Sequence, residues 1–335
     1  MNAETFYREA QTFLEQLFLR LSGQNVTFER HWQIDHLCYR ASSLQSYESF
    51  KKSFEGFADL LIESDVNGRP IATYKLSKPV HFKDWSIDVV ELPAPKPGKV
   101  TIEGFEHLEV VSDLTFVELK SRYPQCEFNE SGLKKDFNQE LEINLAPLAL
   151  KFHPLSLESV IRLEKNAEIH KAIKESQILK LFSAYEPRIV GTFPLDLAVS
   201  GSDVDVLLYA DDLDSLQKEF QQHLGVFTDF NMKRLTVSGV DSVVASFTFK
   251  DVPFEIFAQP TPTSHQTANR HFLVEERLLC LGGAAFHGKI QELRKQGLKT
   301  EPAFAAALGL GGDAYAELLS LQKLSESQLK ERFSF

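Results

Sequence analysis

The sequence predicts a two-unit α+β protein, and three observations carry that prediction. A chain of 335 residues is long for one typical domain and suits two. The first half runs twice through a strand, a helix and then two or three strands, at an interval of about 70 residues. The second half has a different texture, with a short sheet followed by a long helical tail. Hydrophobic residues make up 43% of the chain and charged residues 25%, the balance of a soluble globular protein, and 27 Phe predict cores filled by aromatic rings.

The first helix is drawn by Phe6, Ala10, Phe13, Leu14, Leu17, Phe18 and Leu21 on one face, and Ser22-Gly23 stops it. A strand at 32–41 follows, then a Ser-opened amphipathic helix from Leu44 to Asp59. Extended segments come next: LLIESDV, a turn at Asn67-Gly68, PIATYKLS, and WSIDVVEL at 85–92. The Pro-rich linker PAPKPGK (93–99) reads as a stiff crossover. The second pass then begins with a strand at 104–111 and a helix at 113–123, continues with ELEINLA and LALKFHP, and leaves through SLESVIRLEKN. Both passes carry an acid-His-Leu triplet in the first strand, IDHL at 34–37 and FEHL at 105–108. The repeat therefore reads as two βαβββ modules over residues 1–165.

Residues 166–335 open on a helix at about 168–184, closed by Tyr185-Glu186-Pro187. A short strand RIVGT, a loop and the buried strand DVDVLLYA follow. The helix DLDSLQKEFQQHL precedes three more strands, KRLTVSG, SVVASFTF and VPFEIFA. From His265 onward the chain is mostly helical, broken at Gly282-Gly283, Gly297 and Gly311-Gly312.

The stretch richest in chemistry is VGTFPLDLAVSGSDVDVLLYA at 190–210. Gly191-Thr192 ends a strand, where glycine lets a backbone approach a phosphate. Strand alternation puts Asp203 and Asp205 on one face and Val204 in the core. Two such carboxylates repel unless a cation sits between them or one takes a proton, and an all-oxygen set suits Mg²⁺. Glu255 stands in a strongly apolar strand, so it is expected to face a polar pocket and complete a site for phosphoryl transfer, acting there as the base. The plain alternative for the aspartates is a turn cap and a solvated edge acid. Gln266, Arg270, His271 and Glu275 follow at helical spacing, which would let Arg270 and His271 line the same cleft; a helix-surface or capping role is the alternative for His271. Lys299 could meet a phosphate, but Lys299-Thr300-Glu301 reads better as a helix start with Thr300 as N-cap and Pro302 in the first turn.

This arrangement resembles the nucleotidyltransferase superfamily, with Gly191-Thr192 as its glycine turn, Asp203 and Asp205 as its paired acids and Glu255 as its later acid. Thr192 stands where Ser is usual, and the hydroxyl is kept. More closely, residues 167–322 are similar to a family of small bacterial nucleotidyltransferase-like proteins of unknown function, through IVGTFPL, SGSDVDVL, FEIFAQP, HQTANRHFLVEERLL and QGLKTEPAFAAALGLGGDAY.

In the first half His36 and His107 hold equivalent strand positions, Glu91 ends the last strand of the first module and His153 lies in the last strand of the second. Together they would suit a first-row divalent transition metal in an open pocket on a curved sheet, with Glu109 as a competing ligand and Asp35 and Glu106 pointing away into solvent. A half-buried structural role is the alternative for each strand histidine. The layout resembles the vicinal oxygen chelate (glyoxalase-like) superfamily, whose paired βαβββ modules bind a metal. Residues 5–165 look like the YecM family in particular, through IDHLCYR, VVELPAPKPG, GFEHLEVV and ALKFHPLSLESVI.

The sequence expectation is thus Mg²⁺-dependent nucleotidyl transfer from a nucleoside triphosphate to a hydroxyl-bearing small molecule or protein. Two rivals stand beside it: an N-terminal metalloenzyme of the isomerase, lyase or dioxygenase class with a nucleotide-sensing second half, and a binding module with both sites degenerate. A net charge of -11 and a pI near 5.5 argue against nucleic acid. Three isolated cysteines, an N-terminus without the pattern of a secretion signal and the lack of a bilayer-length apolar stretch give the expectation of a cytoplasmic protein without a membrane partner.

Overall fold

A computed structural model describes residues 1–66, 68–98 and 100–335. Asn67 of the expected turn and Lys99 of the expected linker lie outside the described residues. The chain separates into two compact units. The first comprises 1–112, 116–157 and 325–327; the second comprises 113–115, 158–324 and 328–335.

In the first unit α1 (Ala3–Gly23) starts where the Asn2 side chain accepts from the Thr5 amide and buries the predicted apolar stripe. β1 (Gln33–Arg40) precedes α2 (Leu44–Phe54), whose start is fixed by a reciprocal cap between Ser43 and Ser46. That helix stops at Phe54, short of the expected Asp59, because Ala58 and Asp59 already pair in β2 (Ala58–Asp65). β3 (Pro70–Phe82) and β4 (Trp85–Pro93) complete the first module. The second module holds β5 (Gly104–Val111), α3 (Phe116–Arg122), β6 (Phe128–Asn129), β7 (Leu141–Leu145) and β8 (Leu148–His153). The two-residue β6 is too short to leave a periodic signal in the sequence.

All eight strands form one sheet in the order β2-β3-β4-β1-β5-β8-β7-β6. In each module the first strand pairs parallel with the last, β1 with β4 and β5 with β8, and the modules meet where β1 runs antiparallel to β5. The paired βαβββ reading is therefore observed. Tyr39 of β1 meets Phe50 and Phe105 at 5.0 Å, in a core where Phe6 of α1 also meets Phe54 and Phe105. Strand alternation sends His36 and Cys38 to the opposite side from Leu37 and Tyr39.

In the second unit α4 (Leu157–Lys165) comes first, followed by α5 (Ala167–Ser176) and the single turn α6 (Ile178–Leu181). The single helix expected over 168–184 is broken because Gln177 takes a left-handed conformation, φ 55°. β9 (Arg188–Val190), β10 (Val204–Tyr209), α7 (Leu213–Leu224), β11 (Thr228–Val237), β12 (Val240–Phe249) and β13 (Val252–Gln259) follow. They make a five-stranded sheet in the order β11-β12-β13-β10-β9, with β10 parallel to β13 and antiparallel to β9. The helical tail contains α8 (Thr267–Lys295), kinked at Gly283, then α9 (Thr300–Leu308) and α10 (Ala314–Ser320). The N-cap of α9 is Lys299, without a side-chain bond, so Thr300 is the first helical residue and not the cap. Among the described residues no helix is long and apolar enough to cross a membrane.

Candidate functional sites

The first site grows from two register shifts in the β1–β5 ladder. Ile34 pairs with Val110 and His36 with Glu109, which leaves Asp35 as an extra residue on β1. Cys38 pairs with His107 and Tyr39 with Phe105, which leaves Glu106 as an extra residue on β5. A bulge suspends strand alternation. The expectation that both acids point away from their histidines is therefore corrected. Asp35 is 4% exposed and its Oδ2 lies 2.8 Å from His36 Nδ1. Glu106, half-exposed, sets Oε2 3.0 Å from His107 Nδ1 and also accepts from Arg40 Nε. His153 has its Nδ1 against the Leu155 carbonyl oxygen.

With each Nδ1 engaged, the Nε2 atoms of His36, His107 and His153 are turned inward and buried. All three face Glu109: its Oε1 is 3.0 Å from His107 Nε2, and its Oε2 is 3.2 Å from His153 Nε2 and 3.6 Å from His36 Nε2. Burial would depress His36 and His153, yet Glu109 and Asp35 hold both above the ordinary histidine value. Burial would likewise raise Glu109, but His36 and Lys151 hold it well below the carboxylate range. Lys151 Nζ bridges Glu109 at 3.4 Å and Glu140 at 3.5 Å.

Glu91 keeps a ligand atom within 4.8 Å of one on His36 and one on His107. Glu109, expected only as a competing ligand, lies on the same strand as His107 and comes within 3.6 Å of all three histidines. Cys38, which sequence reasoning passed over, shares a similar cluster with Glu106 and His107. The alternating spacing His36, Cys38, Arg40 was the available signal. The open pocket is not met at these ligands, since the three histidines are at most 4% exposed.

The second site lies at one end of the five-stranded sheet. Parallel pairing of β10 with β13 sets Asp205 beside Glu255, and on its other side Asp205 pairs with Val190 of β9. Asp203 sits just before β10, presented by a turn in which the Val199 amide donates to Ser202 Oγ and Gly201 takes φ +85°. Ligand atoms of Asp203, Asp205 and Glu255 all lie within 4.8 Å of one another, while Val204 is buried at 1%. Gly191, at φ +77°, follows β9 and packs its α-carbon against the Asp205 carboxylate. Burial, with Asp203, Glu255 and Glu301 nearby, pushes Asp205 up to about 8; burial and Asp203 also raise Glu255. The cluster thus carries negative potential that a cation would relieve.

Asp205 and Glu255 border a cavity of about 570 Å³, which Gly191, Thr192 and His271 also help to line. His271 enters it, although its Nε2 lies 3.0 Å from the Tyr315 carbonyl oxygen and its Nδ1 3.7 Å from Glu301. Arg270 is not among its walls. Its Nε donates to Gln322 Oε1, so the expectation that Arg270 lines the cleft is corrected. On a helix, neighbouring residues 270 and 271 project about 100° apart, and the sheet accepts one of them. Glu275 and Glu301 also line the cavity; sequence reasoning gave neither a role.

The YecM protein family model matches residues 2–147, and a model described as a domain of unknown function (DUF4269) matches residues 171–321. The chain is 30% identical over 174 residues to protein YecM of Escherichia coli, an alignment covering 46% of this chain and 88% of that protein. It is 37% identical over 106 residues to an uncharacterized protein of Haemophilus influenzae, covering 32% of this chain and 51% of that one. Among solved structures, methylmalonyl-CoA epimerase of Streptomyces coelicolor matches at 12% identity and TM-score 0.28, covering 36% of this chain and 95% of the enzyme.

Proposed function

Since this chain belongs to the YecM family through its first unit, whose name carries no reaction, we propose its activity from the second: Mg²⁺-dependent transfer of a nucleotidyl group from a nucleoside triphosphate to a hydroxyl-bearing acceptor, with release of pyrophosphate. One observation carries this reading, the convergence of Asp203, Asp205 and Glu255 within 4.8 Å at the edge of the 570 Å³ cavity. The fit to a hard divalent cation rests on the donor set, three carboxylates and no nitrogen, together with the raised Asp205. Asp203 and Asp205 would hold the ion and Glu255 would complete the set. Bound there, Mg²⁺ would neutralise charge on a nucleoside triphosphate. Gly191 and Thr192 offer backbone close to the carboxylates, where a phosphate can approach. Glu255, raised by burial and Asp203, would accept the proton of the acceptor hydroxyl. The described residues lining the cavity include no Lys or Arg, so triphosphate binding should require the divalent ion. A thermal-shift panel of nucleoside triphosphates with Mg²⁺, on the wild type and Asp205→Asn, tests this. The wild type should be stabilised and the variant should not; triphosphates that leave the wild type unmoved end the reading.

The first unit supports a second reading, a centre for a transition metal. Its observation is the set of three buried Nε2 atoms turned toward Glu109. Imidazole with one carboxylate suits Zn²⁺, Fe²⁺ or Ni²⁺, and the outer contacts on each Nδ1 are those that orient metal-binding histidines. Such an ion would supply Lewis acidity. Metal that survives dialysis in the wild type and is lost in His36→Ala and His107→Ala is the expected result.

A further inference from the structure

The cavity of the second unit contains acids that the Asp203–Asp205–Glu255 cluster does not account for. Glu275 of α8 is 3% exposed, lines the cavity, and has an Oε1 without a hydrogen-bond partner. Glu301, in the first turn of α9, lines the same cavity and is close enough for its charge to act on both Glu275 and Asp205. His271 has its Nε2 at the Tyr315 carbonyl and its Nδ1 3.7 Å from Glu301, so it can answer Glu301 in part but is not paired with Glu275. Asp205, Glu255, Glu275 and Glu301 thus give four carboxylates around one cavity whose described walls hold no Lys or Arg.

A buried carboxylate without a partner is costly, and a glutamine or leucine would be cheaper at position 275. A ligand that brings its own positive charge removes the penalty, and the ion pair it forms is strengthened by its removal from water. A metal ion or two at the aspartates would fill a small part of 570 Å³, a volume in the range of small-molecule sites. Phe257, Phe272 and Leu207 supply apolar wall for a carbon skeleton.

We propose that Glu275 and Glu301 form an ammonium-binding subsite, and that the acceptor is a small molecule bearing both an amine and a hydroxyl. This rests on the nucleotidyl-transfer reading of the same cavity and narrows its acceptor from any alcohol to a cationic one. The subsite itself stands on the carboxylates alone and can be tested apart from the reaction.

The experiment is calorimetric titration of the full chain with putrescine, and with 1,4-butanediol as its uncharged match, in metal-free buffer and again with millimolar Mg²⁺. Putrescine should bind saturably and the diol should not. Glu275→Gln and Glu301→Gln should each weaken the diamine about tenfold or more, the loss of one charged hydrogen bond. Glu301 is half-buried, so its variant keeps the test open if Glu275→Gln fails to fold. Equal binding of diamine and diol, no binding of either, or unchanged affinity in both variants would overturn the proposal. So would displacement of putrescine by Mg²⁺, which would assign these carboxylates to a metal ion. Triphosphate binding is read on the same samples. Amine binding without triphosphate binding upholds the subsite and ends the transfer reading, and the reverse result does the opposite.

Discussion

A β-carbon on Gly191 would stand 2.0 Å from Oδ2 of Asp205, so the glycine after β9 is what lets that carboxylate occupy its place beside Glu255. The backbone there, at φ +77°, is also one that side-chain-bearing residues avoid. Gly191→Ala is therefore expected to lose about 1–3 kcal/mol from backbone strain alone. It should also displace Asp205 and abolish Mn²⁺ binding in the second unit. Chemical denaturation and a Mn²⁺ titration check the two halves of this prediction; unchanged Mn²⁺ affinity would separate Gly191 from the site.

The bulged acids of the first unit give a second prediction. Asp35 and Glu106 touch Nδ1 of His36 and His107, and Asp35 Oδ2 also lies 3.4 Å from His153 Nε2. Removing such an outer contact typically lowers metal affinity about 10–100-fold. Asp35→Asn and Glu106→Gln should show that loss in a chelator competition with Co²⁺, whose absorption bands also report the ligand set. Glu109→Gln should change the bands themselves, whereas Glu91→Gln should change them less if Glu109 is the nearer ligand.

Lys151 gives a third. Its Nζ lies between Glu109 and Glu140, and its side chain is 14% exposed. Lys151→Met takes this cation from Glu109, while Glu140 keeps Lys135 at 2.7 Å, and losing one partner of a buried pair costs about 3–5 kcal/mol. Melting of the metal-free protein should fall accordingly, and Zn²⁺ should recover more stability in the variant than in the wild type.

The fourth concerns pH. Burial, then Glu301, raises Glu275 well above the usual carboxylate range against the opposing charge of Arg294. Below the unfolded value of roughly 4.3, both states carry the proton and the residue contributes nothing to the pH dependence. As pH rises past that value, the unfolded chain ionises Glu275 while the folded one keeps its proton. Stability then falls by up to about 1.4 kcal/mol per pH unit until the folded value is passed. In amine-free and metal-free buffer, Glu275→Gln removes this loss, so its stability advantage over the wild type should widen between weakly acidic and neutral pH. An advantage that stays flat with pH would contradict the burial of an unpaired acid.

The two modules, the glycine turn and the Asp-x-Asp pair were legible in the sequence because each is written in local spacing: a period of two in strands, a repeated triplet, a glycine at a strand end. His36 and His107 were matched for the same reason. Local spacing also misled. Alternation alone sends Asp35 and Glu106 away from their histidines, and the two register shifts of the β1–β5 ladder undo it. A bulge depends on how two distant strands slide past one another, which neither strand records by itself. The break of the 168–184 helix at Gln177 and the turning of Arg270 toward Gln322 are likewise settled by packing.

By itself, the sequence determined which residues could do chemistry and which strands and helices carry them, because periodicity and turn chemistry act over a few residues. Only the tertiary structure decided which acids meet which further partners: Glu109 among three histidines, Glu275 in the cavity with no hydrogen bond to its Oε1. Those pairings come from strand register and helix packing across dozens of residues, and the energy of a buried charge depends on what is brought beside it.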